Sequence, residues 1–284
     1  MSKIAIISDS LANLPSNFID QYDITIVATY LIWDDGKEVL RDGVDILPSE
    51  FYARLKESKE IPTTSQATIA DFVEIFKPMV AEGRPIISIH TSPELSGTLQ
   101  SATQAKKMYP DATIELVNSQ SIAMELGFQI LAAARAADEG KSFEEVVAIA
   151  RDAKNHTGIF FVVDTLEYLH RGGRIGGASR LIGTALNMKP LLHVDGGRVE
   201  SFEKVRTKTK AKARMLDVIE ERVKGKPNLR IGALHAAEEE EALELLEAAK
   251  EQLNPIEALL TDVSPVVGTH VGPGTVGLSF STDI

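Results

Sequence analysis

The chain has 284 residues, 44% hydrophobic and 25% charged, with 20 Gly and 12 Pro, a balance that excludes a mainly disordered or collagen-like chain and fits one large α/β domain or about two domains. Its 30 Lys and Arg against 41 Asp and Glu give a net charge of -11, which argues against non-specific nucleic-acid binding and a polybasic membrane anchor. There is no Cys, so disulfides, thiolate metal sites and thiol nucleophiles are excluded together.

In chain order, Ile4 to Ile7 precede Ser8-Asp9-Ser10 and form the first predicted strand. The run is too short for a signal peptide or a spanning helix, so a cytoplasmic location is expected. Ile24 to Ala28 is the second strand. Thr63-Thr64-Ser65-Gln66 then leads to Thr68-x-x-Asp71, a capping box opening a helix with Phe72, Ile75, Phe76 and Met79 at helical spacing and Pro78 expected to kink its end. Hydroxyls and N–H groups beside a helix start either cap it locally or bind an anion, and both readings stand. Pro85 to His90 is a strand, and His90-Thr91-Ser92-Pro93-Glu94-Leu95-Ser96-Gly97-Thr98 carries it into a helix ending near Met108. Ligands of open α/β sheets bind at such strand-to-helix loops, where Ser96 offers a hydroxyl and Gly97 an unobstructed N–H. Strand Thr113 to Val117 follows, then an Ala-rich helix closed by Gly140, and Ser142-x-x-Glu145 opens a helix carrying Val146, Ile149 and Ala150. This alternation predicts a mostly parallel sheet covered by helices.

The texture changes at the strand Thr157 to Val163. Leu169 to Gly177 is Gly-rich and holds Arg171 and Arg174, whose guanidinium groups suit carboxylate or phosphate. Leu191 to Val194, the Asp195-Gly196-Gly197 turn and Val199 to Val205 read as a hairpin, which ends the βα repeat. Arg206 adds a basic point before a basic helix from Thr207 to Val223; strand Arg230 to His235, an acidic helix Glu238 to Leu253, strand Ile256 to Leu260 and a last strand Thr275 to Phe280 complete the chain. The fold class expected is α/β in two domains: a mostly parallel sheet flanked by helices over 1–157, and a second α/β domain with a mixed or antiparallel sheet over 158–284. No Ser/Gly/Pro linker marks the boundary, so an extensive interface between them is expected.

Familiar catalytic motifs fail. Gly272, Gly274 and Gly277 spell G-x-G-x-x-G, yet only seven residues follow and they read as strand, not as the helix a dinucleotide needs. There is no P-loop, no H-E-x-x-H and no G-x-S-x-G, and the six His residues are scattered, so neither metal nor cofactor is expected. His270, between Thr269 and the Gly-rich run, is either a structural histidine or an imidazole placed beside a bound acid.

Together, Ile7-Ser8-Asp9-Ser10, Thr64-Ser65-Gln66, Leu95-Ser96-Gly97-Thr98, Asp164-Thr165-Leu166-Glu167-Tyr168-Leu169, Gly172-Gly173-Arg174-Ile175, Lys204-Val205-Arg206-Thr207 and His270-Val271-Gly272-Pro273-Gly274, in that order over nearly the whole chain, resemble the DegV family, which includes the fatty-acid-binding subunit of bacterial fatty acid kinase. Ala67, Asn118 and Glu125 depart from its usual residues. The resemblance implies a non-catalytic, cytoplasmic carrier of a long-chain fatty acid. It implies that Thr64, Ser65, Ser96, Gly97 and His270 bind the carboxyl, and that the second domain encloses the acyl chain. It further implies that Arg174 and Arg206 face an ATP-dependent kinase subunit, which forms an acyl phosphate for phospholipid synthesis. No nucleic acid and no transmembrane segment are expected, and membrane contact is at most transient. At ~0.8 kcal/mol per buried methylene, a long tail gains on the order of 10 kcal/mol gross, leaving a few polar groups to fix orientation. Tail-lining candidates are Phe160, Phe161, Leu166, Leu186, Met188, Leu191 and Phe280, each of which also suits an ordinary core. The alternative is a small-molecule hydrolase or acyl transferase using Ser96 as nucleophile with His270 as base.

Overall fold

The computed structural model describes residues 3–58, 60–182 and 188–283. The strands are β1 (Ala5–Asp9), β2 (Ile24–Val27), β3 (Tyr30–Trp33), β4 (Glu38–Arg41), β5 (Thr63–Ser65), β6 (Ile86–His90), β7 (Ile114–Asn118), β8 (Thr157–Val162), β9 (Lys189–Asp195), β10 (Arg198–Val205), β11 (Arg230–His235), β12 (Glu257–Asp262) and β13 (Val276–Ser281). The helices are α1 (Ser16–Tyr22), α2 (Pro48–Glu57), α3 (Ile69–Ala81), α4 (Thr98–Lys106), α5 (Ala123–Asp138), α6 (Phe143–Asp152), α7 (Glu167–Arg171), α8 (Lys208–Val223), α9 (Glu239–Leu253) and α10 (Pro265–Val271).

Three sheets organise these elements. The first, β2-β1-β6-β7, is wholly parallel. Its apolar strands are buried on both faces: Ile7 and Ile86 pack with Phe72 and Phe76 of α3, and Ile6, Ile87 and Ile89 pack with α5. The second, β10-β9-β8-β13-β11-β12, is mixed, with α8 and α9 on one face and α5 near the other. Lying between the two sheets, α5 buries 12 of its 16 residues, far more than one amphipathic face provides. The expected hairpin is β9–β10, with a bulge between Ser201 and Glu203.

The third sheet, β4-β3-β5, is antiparallel and departs from the sequence expectation. Its strands are short, and β5 is entirely polar (Thr-Thr-Ser), so no apolar run announces it. Leu31 and Trp33 anchor the sheet in a core shared with Ile159, Phe161 and Val266 from the C-terminal half. Pro78 lies in the last turn of α3, which runs on to Ala81, and Glu82 N–H reaches the Pro78 carbonyl at 3.0 Å.

The loop after β6 is fastened at its root by buried polar groups. Asp9 Oδ2 lies 2.9 Å from His90 Nδ1 and accepts from Thr91 N–H at 3.1 Å, while Oδ1 accepts from the Thr91 hydroxyl at 2.8 Å. His90 Nε2 lies 2.6 Å from Ser88 Oγ. Ser88, His90 and Asp9 thus line up like a nucleophile, base and acid, but each is fully buried and the Phe72 ring stands edge-on to His90. Without access to a substrate, this relay is a fastening for the loop that carries Ser96 and Gly97.

Candidate functional site

A cavity of about 150 Å³ lies where the three sheets meet. Its walls are mostly apolar: Ile159 and Phe161 of β8, Val194 and Val199 of the hairpin, Leu234 of β11, and Val266 and Val267 of α10. Polar residues from separate segments also line it: Thr64, Ser65 and Gln66; Ser96 and Gly97; Arg174; and His270. Apart from Arg206, every site residue named from sequence therefore reaches one cavity. A larger cleft of about 850 Å³ opens beside the same polar end and shares Thr64, Arg174 and His270 with it.

Strand alternation aims Thr64 inward, on the same side of the small sheet as its fully buried partner Leu31. Thr64 Oγ1 lies 2.9 Å from His270 Nε2. Burial, and then the positive charge of Arg174, push the His270 pKa down to about 4, so the imidazole is neutral near pH 7. Its Nδ1 is buried without a partner and rests on Gly172, where any Cβ would collide with the ring. Gly172 and His270 thus form one packing unit from two distant motifs. Similarly, the Gln66 amide occupies the space a Cβ at Gly97 would need.

Arg174 donates through Nε to Leu95 O at 3.1 Å and through Nη1 to Gly172 O at 2.7 Å. Among the described residues it pairs with no carboxylate, unlike Arg171, which meets Glu167 at 2.6 Å. The site therefore offers a fixed positive charge, a neutral imidazole and hydroxyls at one end of an apolar chamber, a set complementary to a carboxylate with an apolar tail.

The remaining candidates are more dispersed. Ser65 is exposed at the rim, since alternation turns it away from Thr64. Arg206 is exposed just past β10 and does not line the cavity. Ser96 Oγ lies 2.9 Å from Thr98 Oγ1 while His270 engages Thr64, so the two are not paired as nucleophile and base. Of the tail candidates, Phe161 lines the cavity, whereas Phe160, Leu191 and Phe280 face the α8–α9 side of the mixed sheet. The period of two along each strand decides this, and apolar composition alone cannot. Leu166 packs on the neighbouring core without lining the cavity, Met188 does not line it, and Leu186 lies outside the described residues. The G-x-G-x-x-G glycines serve packing: Gly272 lies under Tyr168, Gly274 against Asp164, and Gly277 against Phe160 and Phe161.

Two buried carboxyls near the site have no functional role in the sequence pattern, where Glu125 is only a departure from the family's usual residue. Asp42 is held near the Thr29 and Ser10 hydroxyls and the start of α10, and burial raises its pKa to about 6 against those hydrogen bonds. Glu125 on α5 is more deeply displaced, to about 8, by burial that the Ser121 and Thr157 hydroxyls only partly offset. Glu125 stands as an isolated acid in an apolar stretch, whereas Asp42 sits among Arg41, Gly43 and Asp45 and has no such signal.

The family model described as "Uncharacterised protein, DegV family" matches residues 3–283. A DegV domain-containing protein of Streptomyces coelicolor is 37% identical over 281 residues, covering 98% of both chains. Among solved structures, the chain is similar to a DegV family protein from Thermus thermophilus described by its fatty acid binding, with a TM-score of 0.91, 31% identity and coverage of 99% of this chain and 100% of that one. It is likewise similar to a stearic acid-binding protein from Eubacterium ventriosum, with a TM-score of 0.91, 28% identity and coverage of 99% and 98%. The ordered loops around the cavity, the sheet topology and the match across nearly the full length together show that this chain belongs to the DegV family.

Proposed function

We propose that the chain is a cytoplasmic, non-catalytic carrier that binds a long-chain fatty acid with its carboxyl at Thr64, Ser65, Ser96, Gly97 and His270. On this reading the tail runs along the inward face of the mixed sheet past Phe161 and Ile159. Residues 1–157 then act as the unit supplying most head-group loops, and 158–284 as the unit supplying most of the apolar wall. The observation that carries the proposal is Arg174, a half-buried cation without a carboxylate partner, next to a neutral His270 at the polar end of an apolar cavity. The fatty acids bound by similar structures support it.

The same proposal has the bound carboxyl presented through the outer cleft to a separate ATP-dependent kinase, with Arg174 and Arg206 facing that partner. The kinase supplies nucleotide, metal and phosphoryl transfer, yielding an acyl phosphate for phospholipid synthesis. Native mass spectrometry of the purified protein is the test. The expected result is an added mass equal to a long-chain fatty acid, removed by organic extraction and restored from a fatty-acid mixture. A protein that carries no lipid and takes none up contradicts the proposal.

A further inference from the structure

The inner wall of the cavity is backed by polar groups that the carboxyl site does not use. Cross-strand pairing sets Val199 opposite Val194 and Ser279 opposite Ile159, and the β8–β9 register, which pairs Phe160 with His193, extends to bring Val194 beside Ile159, so the four form one row across β10, β9, β8 and β13. The first three line the cavity, and Ser279 continues the row with a buried hydroxyl that has no partner. On β8, the residue after Ile159 on the same face, going away from the head group, is Thr157, which accepts from Gln129 Nε2 at 3.1 Å. Gln129 and Glu125 sit one turn apart on α5, close after the cavity residues Ile122 and Ala123. Gln129 Oε1 and Glu125 Oε2 are also buried without partners, and Gln129 and Ser279 are 0% exposed with Glu125 at 6%.

Three such unpaired atoms beside one wall call for a partner, because a buried unsatisfied polar group is costly. Their chemistry is complementary: a carboxylic acid O–H and a serine hydroxyl can donate, and the amide oxygen of Gln129 accepts. One hydroxyl group supplies the matching donor and lone pairs. The cavity of about 150 Å³ is comparable in volume to one that holds benzene, too small for a long acyl chain. A tail leaving the head group past Phe161 and Ile159 therefore heads toward this set, about 13 Å along β8 from Phe161 to Thr157.

We propose that Glu125, Gln129 and Ser279 form a second polar subsite at the inner end of the acyl path, which selects acyl chains bearing a hydroxyl group far from the carboxyl. This inference rests on the fatty-acid reading and adds the class of chain preferred. The test compares wild-type affinity for octadecanoic acid with that for a panel of monohydroxyoctadecanoic acids substituted from mid-chain to the methyl end. The expected result is that one position binds roughly tenfold more tightly than the unsubstituted acid, as one or two hydrogen bonds in a dry site provide. In Glu125→Met and in Ser279→Ala, the ratio of the two affinities should fall toward 1. If unsubstituted acid binds and no hydroxylated isomer binds more tightly, this inference is overturned while the carrier reading stands. If no acid of either kind binds, both are overturned. The wild-type panel decides the matter even if a variant folds poorly.

Discussion

Arg174→Ala lowers the affinity for a long-chain fatty acid roughly 10- to 100-fold at pH 7.5 and lowers that for the matching methyl ester far less. The size follows from a charge-assisted hydrogen bond, about 1.5–3 kcal/mol, made by a half-buried guanidinium. The guanidinium is already oriented by the carbonyls of Leu95 and Gly172, so little order is lost on binding. The ester separates charge from packing, since an arginine that serves only as a wall would cost both ligands equally. Calorimetric titration of the two ligands against both proteins gives the comparison. His270 has its pKa depressed to about 4 in the ligand-free protein, so at pH 7.5 it meets the acid as a neutral imidazole. Its contribution to folding stability is present above its unfolded value near 6.5 and is lost as pH falls through 4.

Glu125→Gln makes the protein more stable at pH 8.5 by about 4 kcal/mol, with the difference vanishing toward pH 4. Burial raises the Glu125 pKa from 4.5 to about 8, so the folded state holds its proton where the unfolded chain has released it. The wild type therefore keeps full stability below 4.5 and loses it as pH rises, up to a plateau above 8. Gln has no proton to lose and keeps one buried amide donor, so its stability does not follow that slope. Urea unfolding of both proteins at pH 4.5, 6.5 and 8.5 measures it. Equal slopes with pH would show that Glu125 is solvated and ionised in the folded protein.

The parallel sheet is readable because its strands are short runs rich in Ile and Val, as in Ile4 to Ile7 before Ser8-Asp9-Ser10. The capping boxes at Thr68 and Ser142 fixed helix starts to the residue, since the reciprocal bonds to Asp71 and Glu145 are local. The small sheet escaped because β5 is three polar residues whose place is dictated by pairing with β3, a contact set by the whole fold. Thr64, Ser96 and His270 were found as polar residues in motifs, but their convergence is tertiary, as is the dependence of His270 on Gly172. Side-chain direction along β8 was likewise out of reach: Phe160 and Phe161 are adjacent in sequence and lie on opposite faces. The role of Asp9, buried beneath the loop it holds, is not legible in the sequence because its partners are 81 and 82 residues away.

The most direct measurement is a crystal structure of the protein with octadecanoic acid. The account predicts the carboxylate within hydrogen-bonding distance of Thr64 Oγ1 and the Ser96–Gly97 loop, beside His270 and Arg174, with the chain passing Phe161 and Ile159. An acid bound with its methyl end at Thr64, or held elsewhere on the molecule with the Thr64–His270 hydrogen bond undisturbed, would contradict it.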